Sequence, residues 1–149
     1  MFDTIVWATD GSQNADRALE VAKTLAHDHG AALVVVHVAQ HYATKAGLAV
    51  YPDEDVVKAR LEETVQRLSK DGFRSSLRIV DHVGPQPAHE IADIAREVGA
   101  DLIVMGTRGH TPIAGLVLGS VVLRLLHVAP CPVVAVPAAL SSQQAARPE

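Results

Sequence analysis

The sequence predicts an α/β protein: one doubly wound, open parallel sheet of five strands, order 3-2-1-4-5, with helices on both faces. Three observations predict it. Short β-branched runs alternate with segments of helical period along the chain. The runs are continuously apolar rather than alternating, as strands covered on both faces must be. The 149 residues are 48% hydrophobic but only 3% aromatic, enough for one core built from Val, Ile, Leu and Ala. Such an arrangement is Rossmann-like, with right-handed crossovers between the strands.

The elements follow in order. Residues 4–9, TIVWAT, read as a buried strand, and DGS after them as a turn with Ser12 as helix N-cap. Ala15, Ala18, Leu19, Ala22, Leu25 and Ala26 recur at helical spacing, and Gly30 stops that helix. Residues 32–38, ALVVVHV, are a second strand. Residues 39–54 show no clear period and read as a long connection, either a lid or a partner surface. Val57, Leu61, Val65 and Leu68 mark a second helix, ended by Gly72, and residues 75–83 a third strand. Ala88, Ile91, Ala92, Ala95 and Val98 mark a third helix, ended by Gly99, and residues 101–105 a fourth strand. A helix near 120–128 and a strand over 132–136 complete the series. The polar residues 141–149 read as a disordered tail behind a single domain over 1–140.

Composition excludes several functions. Thirteen basic and seventeen acidic residues give a net charge of −4, which leaves no basic footprint for nucleic acid. No uncharged apolar run approaches the roughly 20 residues of a membrane span. The first residues lack the basic start of a signal peptide. One cysteine, Cys131, sets up no intramolecular disulfide framework. The expectation is a soluble, cytoplasmic protein with no nucleic-acid or membrane partner.

In a sheet of this order, ligands bind beyond the carboxyl ends of the strands, where the first and fourth strands part. TDGS leaves the first strand there and GTRG leaves the fourth. Gly106 and Gly109 let backbone N–H groups close on an anion. Gly119-Ser120 opens the next helix, whose free N–H groups and positive dipole end favour phosphate. The Ser120 hydroxyl can donate to a phosphate oxygen or help hold a metal ion, and Arg108 offers a fork of donors. No lysine stands beside the last glycine, so this is not a P-loop. Taken alone, the spacing also fits a strand-to-helix loop with glycines for turn geometry and Ser120 as an ordinary N-cap.

The run Gly106-x2-Gly109-x9-Gly119-Ser120 resembles the pattern of the universal stress protein family, in its ATP-binding branch. IVWATDGS near the start, HVGPQPAHEIADIA, ADLIVMGTRGH and LHVAPCPVVAV are also similar to that family, so the resemblance reaches to about residue 137. It implies roles. Asp10 would meet the adenine or ribose end, where a carboxylate accepts from an amine or hydroxyl. Ala8 and Thr9 would flank the same pocket, although members of the family often carry a different small residue at position 8. The backbone of Val38 would meet adenine, and Met105 would lie against base or ribose; core packing accounts for both residue types equally well. Gly106, Arg108, Gly109, Gly119, Ser120 and Val121 would face the phosphates. The implied ligand is ATP, with Mg2+ or Mn2+. The resemblance also implies a homodimer through strand 132–136 and a regulatory protein partner.

The remaining residues add little chemistry. His27 and His29 sit two apart at a helix end and share no face. His37, His41, His82, His89 and His127 show no Cys/His cluster. His110 follows Gly109 and reads either as a phosphate neighbour or as solvent-facing. Cys131, between two prolines, reads as a small buried hydrophobe. The reading is therefore an ATP-binding, homodimeric stress-response regulator. The alternatives are a slow ATPase or self-phosphorylating enzyme, a cyclic-AMP-binding protein, and an interaction module without nucleotide. Residues 105–121 hold no acid to act as a base, which weighs against catalysis.

Overall fold

The computed structural model describes residues 1–50, 53–83, 87–107 and 118–137. Residues 51–52, 84–86, 108–117 and 138–149 lie outside them, and with these the expected tail over 141–149. The elements are β1 (Thr4–Thr9), α1 (Gln13–His29), β2 (Ala32–Thr44), β3 (Gly47–Val50), α2 (Glu54–Lys70), β4 (Ser75–Val83), α3 (Ala88–Glu97), β5 (Leu102–Gly106), α4 (Ser120–Val128) and β6 (Val133–Val136). Five strands are parallel, in the order β4-β2-β1-β5-β6. That is the expected 3-2-1-4-5 winding, with the crevice where β1 and β5 part.

One element departs from expectation. The second strand does not stop at residue 38 but runs on to Thr44, then turns back as β3, antiparallel to it. The turn is local: the Thr44 hydroxyl donates to the Gly47 carbonyl at 2.8 Å and accepts the Ala46 N–H at 3.2 Å. Part of the connection over 39–54 is thus a hairpin that extends the sheet beyond the crevice.

Strand alternation explains the apolar runs. Ile5, Trp7, Leu33, Val35, Leu102 and Val104 face one side, against the Ala15, Ala18, Ala22 and Ala26 stripe of α1 and against Val57 and Leu61 of α2. Val6, Val34, Val36, Ile103 and Met105 face the other, against α3 and α4. The alanine stripe brings α1 close to the sheet, and the Trp7 indole N–H donates to the Ala15 carbonyl at 3.1 Å. Cys131 packs at the edge of the α3/α4 core, where burial pushes its thiol pKa up. The neutral thiol is what its reading as a small hydrophobe requires. Among the described residues, no helix is long and apolar enough to cross a membrane.

At the opposite end of the sheet from the crevice, Asp101 ties the chain start to β5. Its carboxylate accepts the N–H groups of Asp3 and Thr4 at 2.7 and 3.0 Å, which holds its pKa below the ordinary aspartate value of 3.8. A pKa lower in the folded than in the unfolded chain gives stability that is present above 3.8 and lost as pH falls through the depressed value. Asp101→Asn is expected to flatten the acid limb of stability against pH and to leave its shape near neutrality unchanged. Urea midpoints measured across the acid range check this.

Candidate functional site

The crevice is built from a turn, a strand end and a helix start. β1 ends at Thr9, and the chain reverses into α1 within three residues. The turn needs a left-handed residue, which Gly11 supplies at φ +81°. Two side chains fix it: the Thr9 hydroxyl accepts the Gly11 N–H at 3.0 Å, and Asp10 accepts the Ser12 N–H at 2.9 Å. From α2, Val57 packs against Gly11 and the Arg60 guanidinium donates to the Gly11 carbonyl. Ser12 takes the N-cap position with extended backbone, but its hydroxyl makes no capping bond. That hydroxyl oxygen is buried with no hydrogen-bond partner among the described residues.

Across the crevice, the register pairs Ala8 with Met105, which sets Thr9 beside Gly106. Thr107 then joins three elements. Its N–H donates to the Val136 carbonyl at the end of β6, at 3.0 Å. Its carbonyl accepts the Gly119 N–H at 2.7 Å. The chain that leaves at residue 107 therefore returns beside itself at residue 119. The first bond of α4 runs from the Leu123 N–H to the Gly119 carbonyl, at 3.1 Å. The N–H groups of Ser120, Val121 and Val122 thus have no partner within the helix, and they point out of its positive end.

The structure brings most of the expected residues together. Ala8 pairs with Met105 and Thr9 follows beside Gly106 across the β1–β5 pair, Asp10 lies in the turn that leaves β1, and Gly119, Ser120 and Val121 stand at the α4 start tied to Thr107. Val38 is the first residue of β2 past the last pair with β1, Thr9 with His37. The side chains of Ala8, Val38 and Met105 belong to the α3/α4 core, so toward the crevice these residues offer mainly backbone. Arg108, Gly109 and His110 lie outside the described residues. Sequence reasoning left four residues out of the site: Thr107, Ser12, His37 and Glu54. Thr107 carried no signal beyond its place between Gly106 and Arg108. Ser12 was visible only as a cap. The buried pair of His37 and Glu54 lies 17 positions apart in the chain, with only a histidine inside a valine run to hint at it.

Three other histidines pair with single acids: His27 with Asp28 at 3.2 Å, His41 with Asp81 at 2.8 Å and His82 with Glu90 at 2.6 Å. The His41 hydrogen bond pulls the Asp81 pKa down. Among the described residues, no three His, Cys, Asp or Glu side chains gather where a metal ion could be held.

Comparison with known proteins places this geometry. The model of the universal stress protein family matches residues 1–137. A universal stress protein encoded in the QAH/OAS sulfhydrylase 3′ region of Thermus aquaticus is 39% identical over 138 residues, covering 91% of this chain and 99% of that protein. A universal stress protein solved in complex with cAMP shares the fold with a TM-score of 0.66 and 28% identity, covering 93% of this chain and 99% of that one. The Archaeoglobus fulgidus universal stress protein in complex with dAMP superposes with a TM-score of 0.63 and 28% identity, covering 91% and 97%.

Proposed function

Because this chain belongs to the universal stress protein family, we propose that it binds ATP in the β1–β5 crevice and acts as a homodimeric regulator. The observation that carries the reading is the Thr107–Gly119 bond, which sets the open N–H end of α4 beside Gly106. Phosphate suits that end: unpaired amides and a positive dipole gain from a polyanion. The buried, unpartnered Ser12 hydroxyl fits as well, because a polar group left without a partner costs stability unless a ligand or water satisfies it. Asp10 stands at the other strand end, where a carboxylate takes hydrogen bonds from ribose or adenine rather than from phosphate. Gly119, Ser120 and Val121 would hold the phosphates together with Arg108 and Gly109, and the Ser120 hydroxyl would help hold Mg2+ or Mn2+. The divalent ion would neutralise part of the phosphate charge.

The dimer would form through β6. That strand ends the parallel order of the sheet, with Val133, Val134 and Ala135 half-buried. Beside it, Leu123 and Leu126 of α4 are 48% and 53% exposed. An apolar edge of this kind is satisfied by pairing with its own copy. Nucleotide binding would then shift the population of a surface read by a regulatory protein.

Cyclic AMP is the second reading, favoured by the solved relative that holds it. The two ligands share the adenine end and differ at the α4 end, where a triphosphate uses more of the open amides. The test starts with protein as it leaves the cell. Denaturation followed by chromatography and mass measurement identifies any carried nucleotide. Calorimetric titration of stripped protein with ATP, ADP and cyclic AMP, with magnesium present, then ranks them. ATP binding tighter than millimolar is the expected result. Weaker binding of ATP than of cyclic AMP moves the reading to the cyclic nucleotide, and binding of none removes it.

A further inference from the structure

β2 carries one ionisable side chain inside a run that is otherwise hydrocarbon, Val34-Val35-Val36-His37-Val38. His37 is 2% exposed and pairs in register with Thr9 of β1 and Ile79 of β4. Alternation turns its imidazole to the α1/α2 face. A ring buried there must satisfy both nitrogens. Nδ1 lies 2.9 Å from the Thr9 carbonyl oxygen, and a carbonyl only accepts, so Nδ1 carries a proton. Nε2 lies 2.9 Å from one Glu54 carboxyl oxygen and 3.3 Å from the other. One further proton must sit between ring and carboxyl, on either partner. Both arrangements leave the pair without net charge, which is how two ionisable groups are tolerated in an aliphatic core.

The pair connects distant parts of the chain. Glu54 is the first residue of α2 and 8% exposed. Thr9 is the residue whose hydroxyl holds Gly11 in the crevice turn. The path runs from α2 through Glu54 and His37 to the Thr9 carbonyl and so to the turn that carries Asp10 and Ser12. The chain between His37 and Glu54 contains Val38 and the β2–β3 hairpin, and the pair fastens the two ends of that excursion.

We propose that His37 and Glu54 are a positioning pair for the crevice: Glu54 holds the imidazole against the Thr9 carbonyl, and ligand affinity depends on that hold. The proposal rests on the nucleotide reading above. Neither residue touches the ligand; both act through Thr9.

Glu54→Gln and Glu54→Ala separate this role from simple packing. A glutamine amide can donate to Nε2 while Nδ1–H stays on Thr9, so the hold survives with a neutral ring. Alanine leaves Nε2 without a partner. The expected result is ATP affinity within about threefold of wild type for Glu54→Gln, and about tenfold or more weaker for Glu54→Ala. Amide exchange at Gly11 and Ser12 in ligand-free protein should accelerate in Glu54→Ala and stay near wild type in Glu54→Gln. The imidazole nitrogen-15 signals of His37 should report Nδ1 protonated in wild type and in Glu54→Gln. If Glu54→Ala fails to fold, Glu54→Asp takes its place, since the shorter arm does not reach Nε2. Wild-type affinity in the Ala or Asp variant overturns the pairing while leaving ATP binding intact. Equal loss in Gln and Ala also overturns it, because the hydrogen bond is then not what matters. A wild-type protein that binds no adenine nucleotide overturns the nucleotide reading and this proposal with it.

Discussion

A Gly109→Ala, Gly119→Ala double variant is expected to keep its fold and lose about 100-fold or more in ATP affinity, equivalent to about 2.7 kcal/mol. Gly119 shows why the two effects separate. Its backbone is extended, φ −74° and ψ 163°, a conformation open to any residue. Alanine there therefore adds no backbone strain. The cost to the fold is that of a poorer N-cap, about 0.5–1 kcal/mol. Alanine at 119 nevertheless adds a methyl group on the residue next to the Ser120 amide, at the helix start where the proposed phosphate must come within hydrogen-bond reach. Calorimetric titration of the variant, beside its thermal melt, checks both halves. A variant that melts like wild type and still binds ATP normally would remove residues 106–120 from the phosphate site.

Gly11→Ala carries the largest expected effect on stability. The residue sits at φ +81°, which costs an L side chain about 1–2 kcal/mol. Its new Cβ would lie 2.8 and 2.9 Å from the two methyl carbons of Val57, inside van der Waals contact. Val57 is β-branched, stiff at χ1 and buried, so it cannot simply swing away. Overpacking adds about 1–3 kcal/mol, for a total of about 2–5 kcal/mol. Urea unfolding measures it. Combining Gly11→Ala with Val57→Ala should recover the steric part and leave the backbone part, so the double-mutant cycle should show favourable coupling. Additive losses would mean that Val57 and Gly11 do not meet as the structure places them.

Most of the parallel sheet was legible because each strand is a short β-branched run and each helix carries an alanine or leucine stripe at helical spacing. α4 is the clearest case: expected near 120–128, it occupies Ser120–Val128. The hairpin was not legible. His41, Thr44, Lys45 and Gly47 break any alternation, and the strand is held by pairing with β2, which is information from elsewhere in the chain. The site divides in the same way. Gly106, Gly119 and Ser120 could be named in advance because the proposed phosphate chemistry restricts residue type at fixed spacing. Thr107 works through its backbone, which residue type does not reveal. His37 and Glu54 were hidden for a different reason: their partnership exists only once β2 and α2 are packed together.

The aromatic poverty of this core has a practical consequence. Trp7 is the protein's one tryptophan, buried on β1 with its indole hydrogen-bonded to α1 and only two residues from Thr9. Intrinsic fluorescence excited at the red edge of the absorption band therefore comes from a single known position, without averaging over emitters. Its emission reports the α1 face near the crevice, while far-ultraviolet dichroism reports the whole backbone. Coincident transitions by the two signals would certify all-or-none unfolding, and an earlier transition at Trp7 would locate the first part of the molecule to open.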